Sequence, residues 1–490
     1  MSVPKRNLMN FNLTSDPWIP VRWLSGHASS VSLNELFAKG SEIADLAVPP
    51  HERISILRLL VCIAQAAHGA PETSADWKGW DTGLESSVAG YLAKWKDHFH
   101  LMGEGMRFLQ SPIEDDRDYP TAQIVFHFAT GNTPTLLDHA GDDERSLAPA
   151  FIARALLVYQ NHFVGGSLAS KVKGNGPALK ALHSLLIGGN LSATIILNCI
   201  DQETLQPGIL GKPVWEGGGK SDYLARLAPC PCRLWLVKDG NRICIDQGTI
   251  YDEYETSAVR ETSSTIITGK RAGIETKVLL RASPGKGIWR DLHCITVIQR
   301  GELHAPLTFR SHIEAQDDDL VSFWSGELIK AKDAKILDAV ESVFTVPFQL
   351  FTPAGQARYQ AGVKFSEEMS NRIYGAVKTY FATLKQESGP TESAKRHFWN
   401  TLDQQADILL TLLNGIGTPD DPMRSANFGE ARDPWTVAVR AAADTAYEQT
   451  CPRGNPRQYE AYAAGLRVLR PLPKKSKSTT RKTIPAIADT

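Results

Sequence analysis

The sequence predicts an α+β protein, with a large mixed α/β N-terminal domain followed by a C-terminal four-helix bundle. Three observations predict it. Short apolar runs punctuated by Gly, Asn and Asp fill the chain as far as Phe351. The segment TPAGQ, Thr352 to Gln356, then interrupts them with Pro and Gly. Beyond it, apolar residues recur at helical spacing, and two capping residues each precede a proline. The expected domains are 1–355 and 356–472, with a basic, disordered tail over 473–490.

Taken in order, PWIPVRWLSGHASSVSLNELF reads as two short strands around a turn at Ser25-Gly26, with Ser32 capping a helix from Leu33. A core helix follows from about His51 to His68. Its stretch ISILRLLVCIAQAA spans about 14 residues and contains Arg58, whereas a membrane span needs roughly 20 apolar residues. Val125 to Phe128 is a β-type run, and Ala148 to Tyr159 is a helix. LSATIILNCI, Leu191 to Ile200, reads as a strand. Tyr223 to Ile298 is mostly β, with CRLWLVKDGNRICID alternating around Asp239-Gly240, a strong hairpin signal, and IWRDLHCITVI closing the section.

In the C-terminal part, Met369, Ile373, Val377, Tyr380 and Leu384 form an amphipathic stripe. A second helix spans about Thr391 to Leu413, with Phe398, Leu402, Leu409 and Leu412 inward. Asp433-Pro434 and Asn455-Pro456 start two more, so four helices fall within about 115 residues, enough for a bundle.

The 490 residues suffice for two or three domains and a large core. Formal net charge is −1, so any contact with nucleic acid must come from local patches or partners. Seven scattered cysteines suit a reducing compartment better than a disulfide framework. With no apolar run at the N-terminus, the expectation is a cytoplasmic protein without signal peptide or membrane contact.

Nothing in the motifs supports an enzyme or a cofactor. The histidines form no metal pattern, and there is no P-loop or GxSxG. Cys230-Pro-Cys232 lacks the second pair that a zinc site favours. The acidic runs Asp115 to Arg117 and Asp317 to Asp319 read as solvated surface, although they leave open a metal-dependent nuclease. His397, beside Phe398 and Trp399 on a helix, reads as a core or interface residue rather than a general base.

The strongest functional candidate is FVGGSLASKVKGNG. Gly165 and Gly166 permit close backbone approach by a partner, and Lys171 and Lys173 suit phosphates. A flexible connector is the alternative. A second loop, TIITGKRAG, sets Lys270 and Arg271 between two glycines, which by itself is a turn with exposed charges. A third stretch, FHFATGNTPTLLDH, holds an uncharged polar loop between apolar ends.

NLTSDPWIPV, SLNELF, RLLVCIAQAA, GNGPALKAL, ATIILN, IWRDLH, GELIKAKDAKILDAVESVF, AKRHFWNTLDQQADILL and NPRQYEAYAAGLRVL together resemble the CasA family, the large subunit of the type I-E CRISPR surveillance complex Cascade. The resemblance covers roughly Asn12 to Leu469. It implies a non-catalytic subunit at the foot of a crRNA-bearing assembly, with the Cascade backbone and small subunits as partners. Such a subunit reads the protospacer-adjacent motif (PAM) in double-stranded target DNA from the minor groove, starts strand separation, and recruits a helicase-nuclease. Protein reads the PAM, and base pairing reads the rest. A pure protein scaffold is the remaining alternative.

The resemblance also implies site residues. Gly165, Gly166 and Ser167 are the glycine loop, and Lys270 or Arg271 is the groove-facing cation. Ile329 to Asp333 is a wedge beside the first base pair, with Ile329 as apolar insert, Lys330 and Lys332 on phosphates, and Asp333 closing the tip. It lacks the amide side chains of the best-known relatives. Phe128, Asn132, Leu136 and Leu137 belong to a loop reaching the guide and neighbouring subunits. A cysteine cluster of some relatives is reduced here to Cys230 and Cys232.

Overall fold

A computed structural model of the chain describes residues 10–114, 117–126, 128, 146–166, 168, 172–205, 209–249, 261–271, 273–298, 305–313, 319–330, 336–387, 389–418, 421, 423, 427–430 and 433–471. It mixes helix and strand, as the sequence predicts, and divides into two compact units, Met1–Gln356 and Ala357–Thr490.

The first unit opens with β1 (Ile19–Trp23) and β2 (Ala28–Val31), paired antiparallel around Ser25-Gly26. Helix α1 (Leu33–Ala38) follows at once, because the Ser32 hydroxyl accepts the Glu35 N–H at 3.2 Å. β3 (Ile43–Leu46) completes a sheet of order β2-β1-β3. The centre is α2 (Pro50–His68), buried along most of its length, with α3 (Leu84–Trp95) against it. β4 (Asp118–Pro120) leads to α4 (Pro149–Asn161), β5 (His183–Leu186), α5 (Leu191–Leu197), α6 (Gln202–Leu205) and α7 (Tyr223–Leu227). β6 (Cys232–Val237) and β7 (Arg242–Gly248) form the expected hairpin, with Asp239 and Gly240 both at positive φ. A second hairpin, β8 (Ile266–Arg271) with β9 (Ile274–Leu279), precedes α8 (Leu292–Ile295) and α9 (Leu307–His312). The long strands β10 (Leu320–Lys330) and β11 (Ile336–Pro347) close the unit in a sheet of order β11-β10-β5.

Three expected β segments are otherwise. Leu191 to Leu197 is helix: the Asn190 side chain accepts the Ala193 N–H at 2.9 Å, while Asn198 bonds Leu186 through both its side-chain groups. A short apolar run does not separate strand from buried helix, and here the caps decide. The run from Val125 is a turn: after the 3-10 turn Thr121–Ile124, the Val125 and Phe128 N–H groups bond the Ala122 and Val125 carbonyls. Ile288 to Ile295 is a 3-10 turn running into α8, and Tyr223 begins α7.

The second unit is helical. α10 (Pro353–Thr383) begins just inside the first unit and carries Met369, Ile373, Val377 and Tyr380 on a buried stripe. The helix expected over Thr391 to Leu413 is two, α11 (Thr391–Asp403) and α12 (Asp407–Thr411), parted by turns at 404–406. Phe398, Leu402, Leu409 and Leu412 are inward, but His397 is exposed and is not a core residue. α13 (Pro434–Thr450) and α14 (Pro456–Leu469) start as expected, with Asp433 accepting from Thr436 N–H at 2.8 Å and Asn455 from Gln458 N–H at 3.0 Å. A Cβ at Gly465 would stand 2.1 Å from the Tyr447 hydroxyl and 2.6 Å from the Ala376 carbonyl, so α14 lies tight against α13 and α10. Residues 472–490 are outside the described residues.

Candidate nucleic-acid interface

The glycine segment folds back on itself. Val164 bridges Asn175, the Gly165 N–H bonds the Gly174 carbonyl at 2.9 Å, and the Gly166 N–H bonds the Val172 carbonyl at 2.8 Å. The two glycines serve different ends. A Cβ on Gly165 would meet the Gly174 nitrogen at 2.6 Å, so this glycine lets the two strands of the loop close. Gly166 has φ +81° and, among the described residues, nothing within 4 Å of where a Cβ would stand. It presents bare backbone to open space. Lys173 is exposed on the return strand, whereas Ser167 and Lys171 lie outside the described residues.

Lys270 and Arg271 are in a strand, not in a loop. They end β8, in register with Glu275 and Ile274 of β9, and Gly273 has φ +84° just before β9 begins. The sequence hid the hairpin because the two residues between its strands are Ala272-Gly273, not the Asn-Gly or Asp-Gly pair that announces a tight turn.

The expected wedge lies at the end of the β10–β11 hairpin. Lys330 is the last residue of β10, in register with Ile336 after a shift of pairing at Ile329. Lys332 and Asp333 fall outside the described residues. Ile329 is not at the tip: it pairs with Asp338 and is 4% exposed, so it serves the hairpin's packing and has no free face to insert between bases. Phe128 is half-buried and stacks on Phe151 of α4 at 5.9 Å. Asn132, Leu136 and Leu137 lie outside the described residues, as do Asp115, Asp116, Asp317 and Asp318.

The roots of all three segments meet at His183. Its main chain pairs with Gly326 of β10 and bridges Ser264, just ahead of β8. Its ring lies 2.9 Å from the Ala178 carbonyl through Nε2 and 2.8 Å from the Ser263 hydroxyl through Nδ1. A carbonyl can only accept, so Nε2 carries the proton and Nδ1 accepts. Ala178 stands two residues past the end of the glycine segment, and its N–H bonds the Asn161 carbonyl. On either side of His183, Leu182 N–H bonds the Leu280 carbonyl after β9, and the Ser184 hydroxyl meets that of Ser325 at 2.7 Å. Glu327 of β10 accepts the Ala282 N–H at 2.6 Å and Arg281 at 3.1 Å, tying the exit of β9 to β10.

Beneath this junction lies a buried ion network. Arg58 of α2 bonds Asn161 at 2.9 Å, and also the Glu261 carboxylate and the Arg226 carbonyl. Arg226 stands 3.6 Å from Glu261. Burial acts to raise the Glu261 pKa, but the Arg58 and Arg226 charges outweigh it and hold the group below its ordinary value. Burial, and then the Arg58 charge, push His183 down to about 4. Sequence reasoning had one signal here: a lone arginine in an apolar helix must find a buried partner.

The pH dependence follows. His183 is neutral when folded and takes its proton near pH 6.5 when unfolded, so the unfolded chain binds more protons between these values. Stability is present above pH 6.5 and is lost as pH falls toward 4, by about 3 kcal/mol for this residue. A protein whose unfolding midpoint in urea is unchanged from pH 7 to pH 4.5 would contradict it.

Among the described residues no group of three His, Cys, Asp or Glu side chains is placed to hold a metal ion, and no helix is long and apolar enough to cross a membrane.

The family model described as CRISPR-associated protein Cse1 matches residues 12–446. The CRISPR-associated protein CasA/Cse1 of Thermus thermophilus is 26% identical over 398 residues, covering 75% of this chain and 77% of its own. Among solved structures, Thermus thermophilus CasA (Cse1) superposes with a TM-score of 0.74 at 20% identity, covering 94% of this chain and 98% of its own. Cse1 of Acidimicrobium ferrooxidans gives 0.69 at 19% identity, covering 94% and 97%. A chain of a CRISPR RNA-guided surveillance complex gives 0.72 at 17% identity, covering 94% and 99%. At these identities the structures establish a shared fold.

Proposed function

The chain belongs to the Cse1 family of CRISPR-associated proteins, and on that premise we propose that it is the non-catalytic large subunit of a type I-E RNA-guided surveillance complex. In that assembly it reads the PAM in duplex DNA from the minor groove, nucleates strand separation, and helps recruit the helicase-nuclease. The reading is supported by one observation above the others: the glycine segment, the β8–β9 hairpin and the β10–β11 hairpin are rooted together at His183.

Each segment suits one task. The minor groove is narrow and its code degenerate, so bare backbone at Gly166 can enter where side chains cannot, and several PAMs are tolerated. Lys270 or Arg271, at the end of a stiff two-stranded arm, supplies a polar contact in the same groove. Lys330 and Lys332, with Asp333, form the wedge tip and hold displaced phosphates. With Ile329 buried, opening depends on these cations rather than on an apolar insert. Phe128 tethers a loop carrying Asn132, Leu136 and Leu137, which meets the guide and neighbouring subunits. A chain of near-zero net charge needs only a few positioned contacts, because the paired guide supplies the rest.

The wedge gives the test. Lys330→Ala with Lys332→Ala, in the assembled complex, is expected to slow R-loop formation on closed target by roughly tenfold, about 1.4 kcal/mol of barrier. A target mismatched beside the PAM, and so already open, should restore the rate. An equal defect on both targets would assign this segment to clamping or structure instead.

A further inference from the structure

A cleft of about 370 Å³ lies between the turn at Met106–Ser111 and the loop at Val214–Lys220. Its volume falls within the range of small-molecule pockets, roughly 300–1,000 Å³. Its lining includes Arg107, Lys220 and His98 and, among the described residues, no carboxylate.

Arg107 is the unusual member. Its guanidinium lies 3.7 Å from the centre of the Trp235 ring, and Nε and Nη1 bond the Gly103 and Leu236 carbonyls at 2.8 and 2.9 Å. Those contacts fix its plane. Among the described residues it makes no ion pair, and no hydrogen bond engages Nη2. Burial lowers its pKa from the ordinary arginine value, so the charge is held at a desolvation cost. A positioned cation with a donor to spare and no carboxylate beside it among the described residues suits a phosphate. The rest of the cleft is of another kind: Met106, 56% exposed, and Val214 give apolar surface beside the cation. Apolar surface next to a phosphate donor matches a nucleotide better than a bare anion.

The cleft also adjoins the glycine segment. Thr249 lines it, and the Thr249 carbonyl accepts the Asn175 N–H at 3.2 Å on the return strand of that segment.

We infer that this cleft binds one nucleotide of a single nucleic-acid strand, with the phosphate on Arg107 and the base against Met106 and Val214. The inference rests on the reading of the chain as part of a nucleic-acid assembly, and it adds to that reading a contact with unpaired strand next to the PAM-facing loops.

The test uses the full chain alone, without guide or duplex, so its outcome is independent of PAM reading. The probes are fluorescein-labelled hexamers of uridine and of thymidine, followed by anisotropy over a range of salt. Arg107→Gln is expected to weaken binding of the preferred hexamer about tenfold and to make the salt slope shallower by about 0.7, the value for one lost phosphate contact on a single strand. Met106→Glu alters an exposed side chain, leaves the melting temperature unchanged, and should weaken binding at least as much by placing a carboxylate in the cleft. The preferred hexamer identifies RNA or DNA as the source of the strand. Wild-type affinity in both variants overturns the inference. So does equal binding of a glutamate-rich peptide of the same charge, or displacement of the hexamer by inorganic phosphate at equal concentration of phosphate groups.

Discussion

Arg58→Ala is expected to destabilise the first unit by about 3–5 kcal/mol, the cost of leaving one member of a buried ion pair without its partner. Arg58 is 4% exposed and Glu261 is 8% exposed, so water cannot replace the missing guanidinium. Glu261 would retain Arg226 at 3.6 Å, beyond good hydrogen-bond distance, while Asn161 would lose its guanidinium donor. The loss should be felt first in the β8–β9 hairpin, which Glu261 precedes by five residues. Hydrogen exchange would therefore rise over Ile266–Leu279 before the core of α2 opens. Urea unfolding and exchange read both effects. A change under about 1 kcal/mol, or uniform exchange across the unit, would show that the network is not what holds these arms.

Gly166→Asp is expected to weaken binding of the assembled complex to PAM-bearing duplex by several kcal/mol, the scale for a buried unpaired charge. The site makes the experiment clean. A side chain at residue 166 has open space, so the substitution carries only the strain of a left-handed residue, roughly 1–2 kcal/mol, and aspartate tolerates that conformation better than most. Gly166→Ala carries the same strain without the charge and separates the two causes. Gly165→Ala would be a poor probe, because its Cβ collides with the Gly174 backbone and disturbs the loop itself. Unchanged duplex binding by the Gly166→Asp complex would remove the glycine segment from the DNA interface.

Much of this was legible in the sequence, for identifiable reasons. Ser32, Asp433 and Asn455 each announce a helix through a side chain that satisfies a backbone N–H, a local interaction that needs no knowledge of the fold. Asp239-Gly240 announces its hairpin by another local property, since both residues accept the positive φ that the turn needs. The failures were also local. Leu191 to Leu197 carries β-branched residues that favour strand, and the Asn190 cap overruled them. The resemblance put Ile329 at the wedge tip as an apolar insert, yet β10 is buried without a break from Phe323 to Ile329, on both faces of the strand. What no local pattern contains is the junction at His183. Its partners, Ala178, Ser263 and Gly326, span nearly 150 residues, and only the pairing of β5 with β10 brings them together.

The most direct measurement is PAM discrimination by the guide-bearing complex assembled with and without this chain. The substrates are duplexes that share the guide-matched stretch and differ only in the flanking base pairs, drawn from a randomised library. The account predicts that the complete complex binds a subset of flanks, that omitting the chain abolishes the preference, and that adding it back restores the same subset. If the complex without this chain discriminates among flanks as well as the complete one, the chain does not read the PAM.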